Sequence, residues 1–323
     1  MPPVILAVAE TADGTLTRLS TEVATLARSL AAASGGSAVG LVVDPSPAGA
    51  AAELAGYLSR VVSVTAPGLA DQTSAPQIVA EVGRLADEGV THIMLGATAD
   101  GRDVAGALVG LLGWGLLANA SSVTWADVSP VVRATVLGGK AITSSILTGP
   151  AGIVTLSAGT VTAEPAPGAG SVEAREPAAT KLPPVSVVER VAEAGAEASL
   201  EEARVVVVGG RGVGGPDGFA VIGDLASLLG GVVGATRASV DAGWIAYARQ
   251  IGQTGKVVKP ALYLGLGVSG AMQHRVGMQS SGTIVAINRD PDAPIAEVAD
   301  LFVVGDLFEV GPALVAELRS RRA

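Results

Sequence analysis

Residues 250–274, QIGQTGKVVKPALYLGLGVSGAMQH, place two glycine-broken polar loops around one short apolar strand. The small residues of these loops allow a ligand to approach the backbone closely. The loops also carry side-chain donors and acceptors at Gln253, Thr254, Ser269, Gln273 and His274. A packed core has little use for so many polar groups beside so little bulk. An aromatic cofactor that carries phosphate would use all of them.

The length and composition indicate two α/β domains. The chain has 323 residues, of which 49% are hydrophobic, 16% charged and only 3% aromatic. This length is too great for one small domain and suits two. An excess of aliphatic residues is typical of parallel strands that helices cover on both faces. We therefore predict two parallel-sheet, Rossmann-like α/β layers, with disorder confined to linkers.

Charge and residue content exclude several classes of function. The net charge is −9 and no run of Lys or Arg appears, which disfavours binding to a nucleic-acid backbone. Cysteine is absent, so disulfides, thiolate nucleophiles, iron–sulfur clusters and cysteine zinc sites are excluded. The two histidines, His92 and His274, leave little for a metal site or a histidine-based triad, and we predict no metal. His92 lies in an apolar run and is interpreted as structural.

Residues 104–123 form an uncharged run that is near the length of a membrane span. Glycines interrupt the run, Asn119 and two serines lie in its second half, and a Thr-Ala-Asp-Gly-Arg-Asp turn opens it. These features favour a buried crossover helix followed by a strand. The N-terminus, MPPVILAVAE, lacks a basic segment and a long apolar run. We interpret it as a first strand and expect a cytoplasmic protein.

The first half of the chain alternates short apolar runs with helical patterns, which predicts a parallel sheet. The predicted strands are residues 4–8, 38–43, 60–64, 92–95 and 153–156. The predicted helices are residues 15–33, 49–58, 74–88 and 103–117. Ser74 followed by Gln77 is typical of a capping box at the start of the third helix.

Residues 163–199 contain five prolines among small residues and mixed charges, which predicts a linker or an irregular crossing segment. We place the domain boundary near its end, giving one domain at 1–195 and a second at 196–323. In the second domain, polar or glycine residues follow strands predicted at 204–208, 232–235, 261–266, 283–287 and 302–304. In an open parallel sheet this edge forms the ligand crevice, so these scattered residues should meet on one surface.

Residues 210–215, Gly-Arg-Gly-Val-Gly-Gly, satisfy the GxGxxG pattern that usually places a pyrophosphate at a helix N-terminus. A standard NAD site also has an acid at the end of the next strand. That strand ends here at Thr236 and Arg237, without a carboxylate, so an NAD(P)-linked oxidoreductase is the less favoured alternative. A glycine turn needed only for chain geometry is a further interpretation.

Other polar residues that follow strands have structural as well as functional interpretations. Arg237 either pairs with Asp241 on the surface or places a fixed charge opposite a cofactor that becomes anionic. Ser269 and Gly270 are expected to open a helix. His274, near the start of that helix, either caps it or lies in the core, or it contacts the ligand. Asp306 could cap the final helix, and Asn288 could close a turn. Their shared position after strands favours a common site.

The second domain closely resembles the α subunit of electron transfer flavoprotein, also called the FixB family. The matching segments are VVVVGGRGVG, TRASVDAGW, QIGQTGK, LYLGLGVSGAMQH, TIVAINRDPDAPI and ADLFVVGDLF. QIGQTGK followed by VSGAMQH at this spacing is highly specific. The first domain is similar to the family more weakly, chiefly through LGATADGRDVAGAL. The turn Ala246-Tyr247-Ala248 departs from the Pro-containing turn that the family often has before QIGQTG.

The resemblance implies a doubly wound FAD-binding fold for the second domain and a set of cofactor-binding residues. These are Arg211, Thr236, Arg237, Gln250, Ile251, Gly252, Gln253, Thr254, Ser269, Gly270, Ala271, Met272, Gln273, His274, Asn288, Asp306 and Leu307. Within this set it implies that Arg237 lies over the isoalloxazine, Thr254 near N5 and His274 near O2. Reduction of FAD puts negative charge on the N1–C2=O2 region, which Arg237 and a donor at His274 would stabilise.

The resemblance also implies an electron carrier without substrate turnover of its own. The expected partners are a separate β subunit, which holds AMP and contacts the first domain, flavin dehydrogenases such as acyl-CoA dehydrogenases, and a membrane quinone oxidoreductase. A mobile FAD domain is expected for such a shuttle, which makes residues 163–199 hinge candidates. A nucleotide-binding regulator without catalytic activity is a third interpretation.

Overall fold

The computed structural model describes residues 2–12, 14–137, 141–166, 168, 170–189, 200–201 and 203–322. The chain divides into two compact units, Met1–Arg190 and Val191–Ala323. The boundary predicted between residues 195 and 196 lies outside the described residues. Each unit has its own parallel sheet, as the two-layer α/β prediction requires.

The first unit alternates strands and helices. In chain order the elements are β1 (Val4–Ala9), β2 (Thr11–Ala12), β3 (Thr15–Leu16), α1 (Arg18–Ser34), β4 (Ser37–Asp44), α2 (Ala48–Leu54), β5 (Arg60–Thr65), α3 (Ala75–Asp87), β6 (His92–Gly96), α4 (Ala99–Leu112), β7 (Gly115–Ala120), β8 (Ser122–Ala126), β9 (Ser129–Val136), β10 (Ala141–Ile146), β11 (Gly152–Leu156) and β12 (Ser171–Arg175). The main sheet has the order β12-β5-β4-β1-β6-β11-β7, and its neighbouring strands are parallel.

Apolar side chains cover both faces of this sheet because successive residues of a strand point to opposite sides. Ile5 packs with α1 and α2 residues on one face, whereas Leu6 packs with α3 and α4 residues on the other. The predicted strands therefore lie where the β-branched runs placed them. Among the described helices, none combines the length and the apolarity needed to cross a membrane.

Three helix starts differ from the prediction. The first helix begins at Arg18 and not at Thr15, because Thr15–Leu16 form β3 and the Thr17 side chain caps the helix by accepting from Ser20 N. The expected capping box at Ser74 is wrong: Ser74 has helical backbone angles and makes no side-chain cap bond, and Nε2 of Gln77 donates instead to Glu81. The fourth helix begins at Ala99, four residues before the predicted start, because the Thr98 hydroxyl accepts from Gly101 N at 2.9 Å. The uncharged run 104–123 is thus the end of α4 followed by β7, as expected.

The proline-containing segment holds more regular structure than its composition indicates. Strand β12 pairs with β5 along Ser171–Arg175. Beyond it, the fully buried carboxylate of Glu81 accepts from Ala178 N at 2.6 Å, and Val187 N donates to Asp71 O at 2.9 Å. Much of the predicted crossing segment is therefore held against the first unit. The antiparallel sheet β10-β9-β8 was also not predicted.

The second unit contains β13 (Val205–Gly209), α5 (Phe219–Leu229), β14 (Val232–Thr236), α6 (Arg237–Asp241), β15 (Gln250–Ile251), β16 (Leu262–Leu266), α7 (Met272–Arg275), β17 (Thr283–Asn288), β18 (Leu301–Val304) and α8 (Leu307–Arg322). Its sheet has the order β15-β14-β13-β16-β17-β18 with parallel neighbours. This is the 3-2-1-4-5-6 order of a doubly wound dinucleotide-binding fold, and buried clusters cover both faces.

The five predicted strands of this unit are present, and β15 adds a short sixth strand. The helix expected to open at Ser269 is a single turn, Met272–Arg275. A helix of this length has a small macrodipole, so phosphate binding there would depend on individual backbone amides. After β17, Pro294–Glu297 forms a 3-10 turn in place of an α-helix.

Candidate functional site

The predicted site residues lie at the carboxyl edge of the second sheet. The six strands are parallel, so the loops that follow them leave from the same edge. Strand order reverses between β13 and β16, which makes their loops the two walls of a topological switch point. Arg211 follows β13, Arg237 begins directly after β14, and Ser269 follows β16. The sheet thus brings together residues that are far apart in the sequence.

The two glycine loops at the switch point contact each other through their backbones. Gly212 N donates to Gly267 O at 3.0 Å, and a Cβ built on Gly210 would lie 2.2 Å from the same oxygen. Gly267 has φ +63°, a conformation that favours glycine. The loops can approach this closely only without side chains. Because α5 begins as late as Phe219, the GxGxxG segment does not open a helix directly, which weakens the NAD-type interpretation.

The seventeen predicted cofactor-binding residues separate by exposure into groups with different roles. Nine of these residues are exposed: Arg211, Arg237, Gln253, Thr254, Ser269, Ala271, Met272, Gln273 and Asp306. Asn288 is half-buried. The remaining seven are buried: Thr236, Gln250, Ile251, Gly252, Gly270, His274 and Leu307. The exposed group can contact a ligand directly, whereas the buried group shapes the loops that carry it.

The loop after β15 is closed on itself and attached to the loop after β16. Lys256 N donates to Gln250 O at 2.8 Å, and Gly252 N donates to Lys256 O at 3.1 Å. Gln253 N donates to Gln273 O at 2.8 Å, which joins the two loops. The two polar loops recognised in the sequence therefore form one continuous surface.

Arg237 and Thr236 illustrate two kinds of site residue. Nε of Arg237 donates to Oδ2 of Asp241 at 3.2 Å, and both side chains are largely exposed. The guanidinium therefore keeps most of its surface available for a ligand. Thr236 is buried, and its hydroxyl lies 3.3 Å from that of Ser239, which donates to Gly209 O at 3.4 Å. Thr236 thus connects β14 to the start of the glycine loop.

Asn288 and Asp306 have the structural roles that their positions allow. Nδ2 of Asn288 donates to Val268 O at 2.8 Å, and its Oδ1 accepts from Asp290 N at 3.1 Å. Oδ1 of Asp306 accepts from Phe308 N at 2.8 Å and so caps α8. Asn288 in this way ties the turn after β17 to the switch-point loop. Neither contact excludes a second bond to a ligand.

His274 has partners for both ring nitrogens inside the chain. Its Nδ1 lies 3.0 Å from Ile251 O, and its Nε2 lies 2.8 Å from the Tyr263 hydroxyl. Burial lowers the pKa of His274 to about 4, against the hydrogen bond that the ring makes to Ile251 O, which raises the pKa. Burial also raises the pKa of Tyr263. The donor role predicted for His274 requires that one of these contacts be exchanged for a flavin oxygen.

Two aromatic residues near the site were missed in the sequence. Tyr263 holds His274, and the Tyr247 hydroxyl donates to Thr254 O at 2.7 Å. In the sequence, the turn Ala246-Tyr247-Ala248 is the signal that points to Tyr247, whereas Tyr263 lies within the apolar strand predicted at 261–266 and gives no sign of its contact with His274. Among the described residues, no cluster of three or more His, Asp or Glu side chains is placed to hold a metal ion.

The chemistry of the edge fits FAD. Arg211 and Arg237 supply exposed cations for phosphate or for an isoalloxazine that gains negative charge. The hydroxyl groups of Thr254 and Ser269, together with backbone amides of the two loops that carry them, supply neutral hydrogen-bond donors. Where the two glycine loops meet, Gly210, Gly212 and Gly267 present backbone without side chains. No pair of side chains forms a nucleophile with its base among these residues.

The comparisons with known proteins agree with this chemistry. Residues 5–182 match the model of the electron transfer flavoprotein domain, and residues 199–279 match that of the electron transfer flavoprotein FAD-binding domain. The chain is 41% identical to the electron transfer flavoprotein subunit alpha of Mycobacterium leprae, over 98% of each chain. It is 35% identical to the subunit of the same name in Bacillus subtilis, over 98% of this chain and 97% of that one. Protein FixB of Clostridium saccharobutylicum is 52% identical over 120 residues, 37% of this chain and 36% of that protein.

Fold and site together define a flavin-nucleotide-binding α/β protein. More specifically, the chain belongs to the electron transfer flavoprotein alpha-subunit family. It is an FAD-containing electron carrier, and it is not an enzyme with a substrate of its own. The resemblance found in the sequence is thereby confirmed, and the NAD(P)-linked alternative is not favoured.

Proposed function

We propose that this chain is the FAD-binding subunit of a heterodimer whose second subunit is a separate electron transfer flavoprotein β chain that carries AMP. In this proposal the heterodimer works in the cytoplasm and takes electrons from flavin dehydrogenases such as the acyl-CoA dehydrogenases of fatty-acid β-oxidation. It passes them to a membrane quinone oxidoreductase. Family membership supports the proposal, and the first unit is the part expected to contact the β subunit.

One observation carries the assignment of the site. Parallel strands bring Arg237, Thr254, Ser269 and Asn288 to a single edge of the sheet although they span over fifty residues of sequence. Bound FAD supplies the redox chemistry, and the chain supplies binding, orientation and charge. Arg237 would stabilise the negative charge that reduction places on the ring. Ser269 and Arg211 would bind the phosphates, and Asn288, Asp306 and Leu307 would contact the adenosine end.

Thr254 and His274 complete the proposed set. Thr254 is exposed on the loop after β15, and its hydroxyl would donate to the flavin near N5. His274 lies behind the same loop and would act near O2, where it must exchange an existing contact to donate directly. A titration of the His274→Ala variant measures this second role. An unchanged reduction potential would remove His274 from the residues that stabilise charge.

The experiment is co-expression with a β subunit followed by purification of the complex. The complex should be yellow, should contain FAD in stoichiometric amount, and should not be bleached by NADH alone. A colourless complex that also fails to bind added FAD would contradict the proposed function. Rapid bleaching by NADH would instead support a nicotinamide-linked oxidoreductase.

A further inference from the structure

The Thr254 hydroxyl has a donor that no group in the described part of the chain uses. Nε2 of Gln250 donates to Oγ1 of Thr254 at 3.1 Å. An amide N–H can only donate, so the hydroxyl oxygen accepts this bond with a lone pair and retains its own proton for another acceptor. Among the described residues we find no acceptor for that proton, and the side chain is exposed. The arrangement therefore presents one oriented O–H at the carboxyl edge.

The amide that orients this hydroxyl is itself fixed. Gln250 is 2% exposed and forms the start of β15, where it pairs with Ala235 of β14. The backbone carbonyl oxygen of Gln250 accepts from Lys256 N at 2.8 Å, and a Cβ built on Gly255 would lie 2.4 Å from that oxygen. These contacts hold the backbone of Gln250, and its side chain is buried and therefore has little rotational freedom. The direction of the Thr254 O–H therefore follows from the position of Gln250.

A second contact holds Thr254 from the solvent side. The Tyr247 hydroxyl donates to the Thr254 carbonyl at 2.7 Å, and the Tyr247 side chain is largely exposed. Tyr247 begins the 3-10 turn Tyr247–Arg249, which leads directly into Gln250. One short segment thus supplies both the group that orients the hydroxyl and the group that fixes the backbone beneath it.

We propose that Gln250 and Tyr247 are positioning residues that present the Thr254 hydroxyl to the bound flavin as a hydrogen-bond donor. The proposal rests on the assignment of the flavin site to this edge. It assigns Gln250, which is buried, a role in setting the reduction potential of the FAD. It assigns Tyr247, on the 3-10 turn before β15, a role in keeping the loop closed.

The first test reverses the polarity of the Gln250 contact. In Gln250→Glu a carboxylate replaces the amide, so the Thr254 proton turns towards the carboxylate and away from the flavin. The equilibrium constant for reduction of bound FAD should fall by at least about fivefold, the effect of one hydrogen bond. The measurement is a spectroelectrochemical titration of the purified heterodimer.

A double-mutant cycle separates this effect from the added charge. Thr254→Val removes the hydroxyl and keeps the side-chain shape, so in that background Gln250→Glu can act only through its charge. We expect the Gln250→Glu effect to be at least about threefold smaller there than in the wild-type background, since contacting residues are non-additive. Equal effects in the two backgrounds would overturn the role of Gln250.

Tyr247→Phe provides a second test at an exposed position, where misfolding is not expected. The variant should lower the same equilibrium constant and should speed amide hydrogen exchange of residues 250–256, also in the FAD-free heterodimer. Tyr57→Phe, which removes the same atom in the first unit, is the matched control and should change neither quantity. Wild-type exchange and potential in Tyr247→Phe would overturn the role of Tyr247.

These outcomes differ from a failure of the proposed function. If the wild-type complex binds no FAD, the site assignment itself is wrong. If it binds FAD and Thr254→Val changes the potential, but the Gln250 and Tyr247 variants do not, then only the positioning proposal is wrong. If Thr254→Val also leaves the potential unchanged, the hydroxyl does not donate to the flavin and the positioning proposal is overturned.

Discussion

The Tyr263 hydroxyl lies 2.8 Å from Nε2 of His274, and both side chains are buried. A carbonyl oxygen can only accept, so Nδ1 of His274, which faces Ile251 O, carries a proton. In the neutral ring Nε2 is then the acceptor, and Tyr263 is its donor. The pair fixes the tautomer and the orientation of the imidazole directly behind the loop after β15, which is proposed to contact the flavin. His274 is therefore part of the support of that loop even if it also contacts the cofactor.

Acid should destabilise the second unit through His274. The folded-state pKa is about 4, whereas an unfolded histidine titrates near 6.5. Well above pH 6.5, His274 is neutral in both the folded and the unfolded chain, so it contributes no pH dependence to the stability. As the pH falls from 6.5 to 4, His274 becomes protonated in the unfolded chain but stays mostly neutral in the folded one. The free energy of unfolding therefore falls by about 3 kcal/mol. Urea titrations at pH 8 and pH 5 measure the part of this loss that occurs above pH 5, which is about 2 kcal/mol.

The two histidines of this chain allow a matched control for that prediction. His274→Gln should reduce the difference between pH 8 and pH 5 in the transition of the second unit. Burial also lowers the pKa of His92, which lies in the first unit, so His92→Gln should leave the second transition unchanged. An unaltered pH dependence in His274→Gln would show that the site accepts a proton without cost.

Removing the charge of Arg237 should lower the reduction potential of bound FAD. Two unit charges about 4 Å apart interact by about 1 kcal/mol even in water, which is about 20 mV for a two-electron couple. Arg237→Ala should therefore shift the potential down by at least about 20 mV. Asp241→Asn should shift it upward, because the exposed carboxylate that pairs with Arg237 is neutralised.

Arg319 provides the control for this pair of variants. It also forms an exposed ion pair, with Asp224 at 3.2 Å, but on α8. Arg319→Ala should leave the potential within error of the wild type. A potential that is the same in Arg237→Ala and the wild type would refute the electrostatic role of Arg237.

A side chain at Gly210 should disrupt the switch point. The Cβ of Gly210→Ala would lie 2.2 Å from Gly267 O and 2.6 Å from Val268 Cα, both backbone atoms. The two loops must separate, at a cost of about 1–3 kcal/mol. We expect a lower melting temperature and loss of FAD. Gly223→Ala is the control: it has open space, lies inside α5, and should stabilise the unit by up to about 1 kcal/mol. Normal FAD content in Gly210→Ala would contradict the close packing of these loops.

The buried carboxylate of Glu81 should protect the segment after β12. It accepts from Ala178 N at 2.6 Å and from Gln77 at 3.0 Å, and it forms an ion pair with Arg84. Glu81→Ala leaves these donors without their acceptor, which costs about 1–3 kcal/mol. Trypsin should then cleave faster after the exposed Lys181. Glu53→Ala, at an exposed position in α2, should be cleaved at the wild-type rate.

The parallel strands were predictable because each is a short apolar run that helices bury on both faces. Runs such as Val205–Gly209 have few other ways to bury their side chains. The prediction missed strand β15 because a strand of two residues, Gln250 and Ile251, is too short to show an alternation of polar and apolar side chains. The helix expected from Ser269 stops after one turn because Gly277 packs on the backbone of Gly252 and its carbonyl accepts from Val258 N. Tertiary contacts of this kind decide helix length and leave no local signal.

The position of the site was also predictable, since polar residues after parallel strands must share an edge. The partners of those residues were not. Whether Gln77 closes a capping box or reaches Glu81, and whether His274 faces a ligand or Tyr263, depends on side chains brought close by folding. The sequence pattern identifies which groups gather, and three-dimensional distances decide which of them bond.

The carboxyl-edge arrangement separates two demands on the second unit. The strands that keep the sheet folded contribute few of the atoms exposed at the edge, while the exposed residues Arg237 and Thr254 are not part of the buried clusters. Substitutions at such exposed positions can therefore adjust the voltage of the carrier with small effects on its melting temperature. Related chains could in this way diverge to serve donors of different driving force while retaining one inherited scaffold.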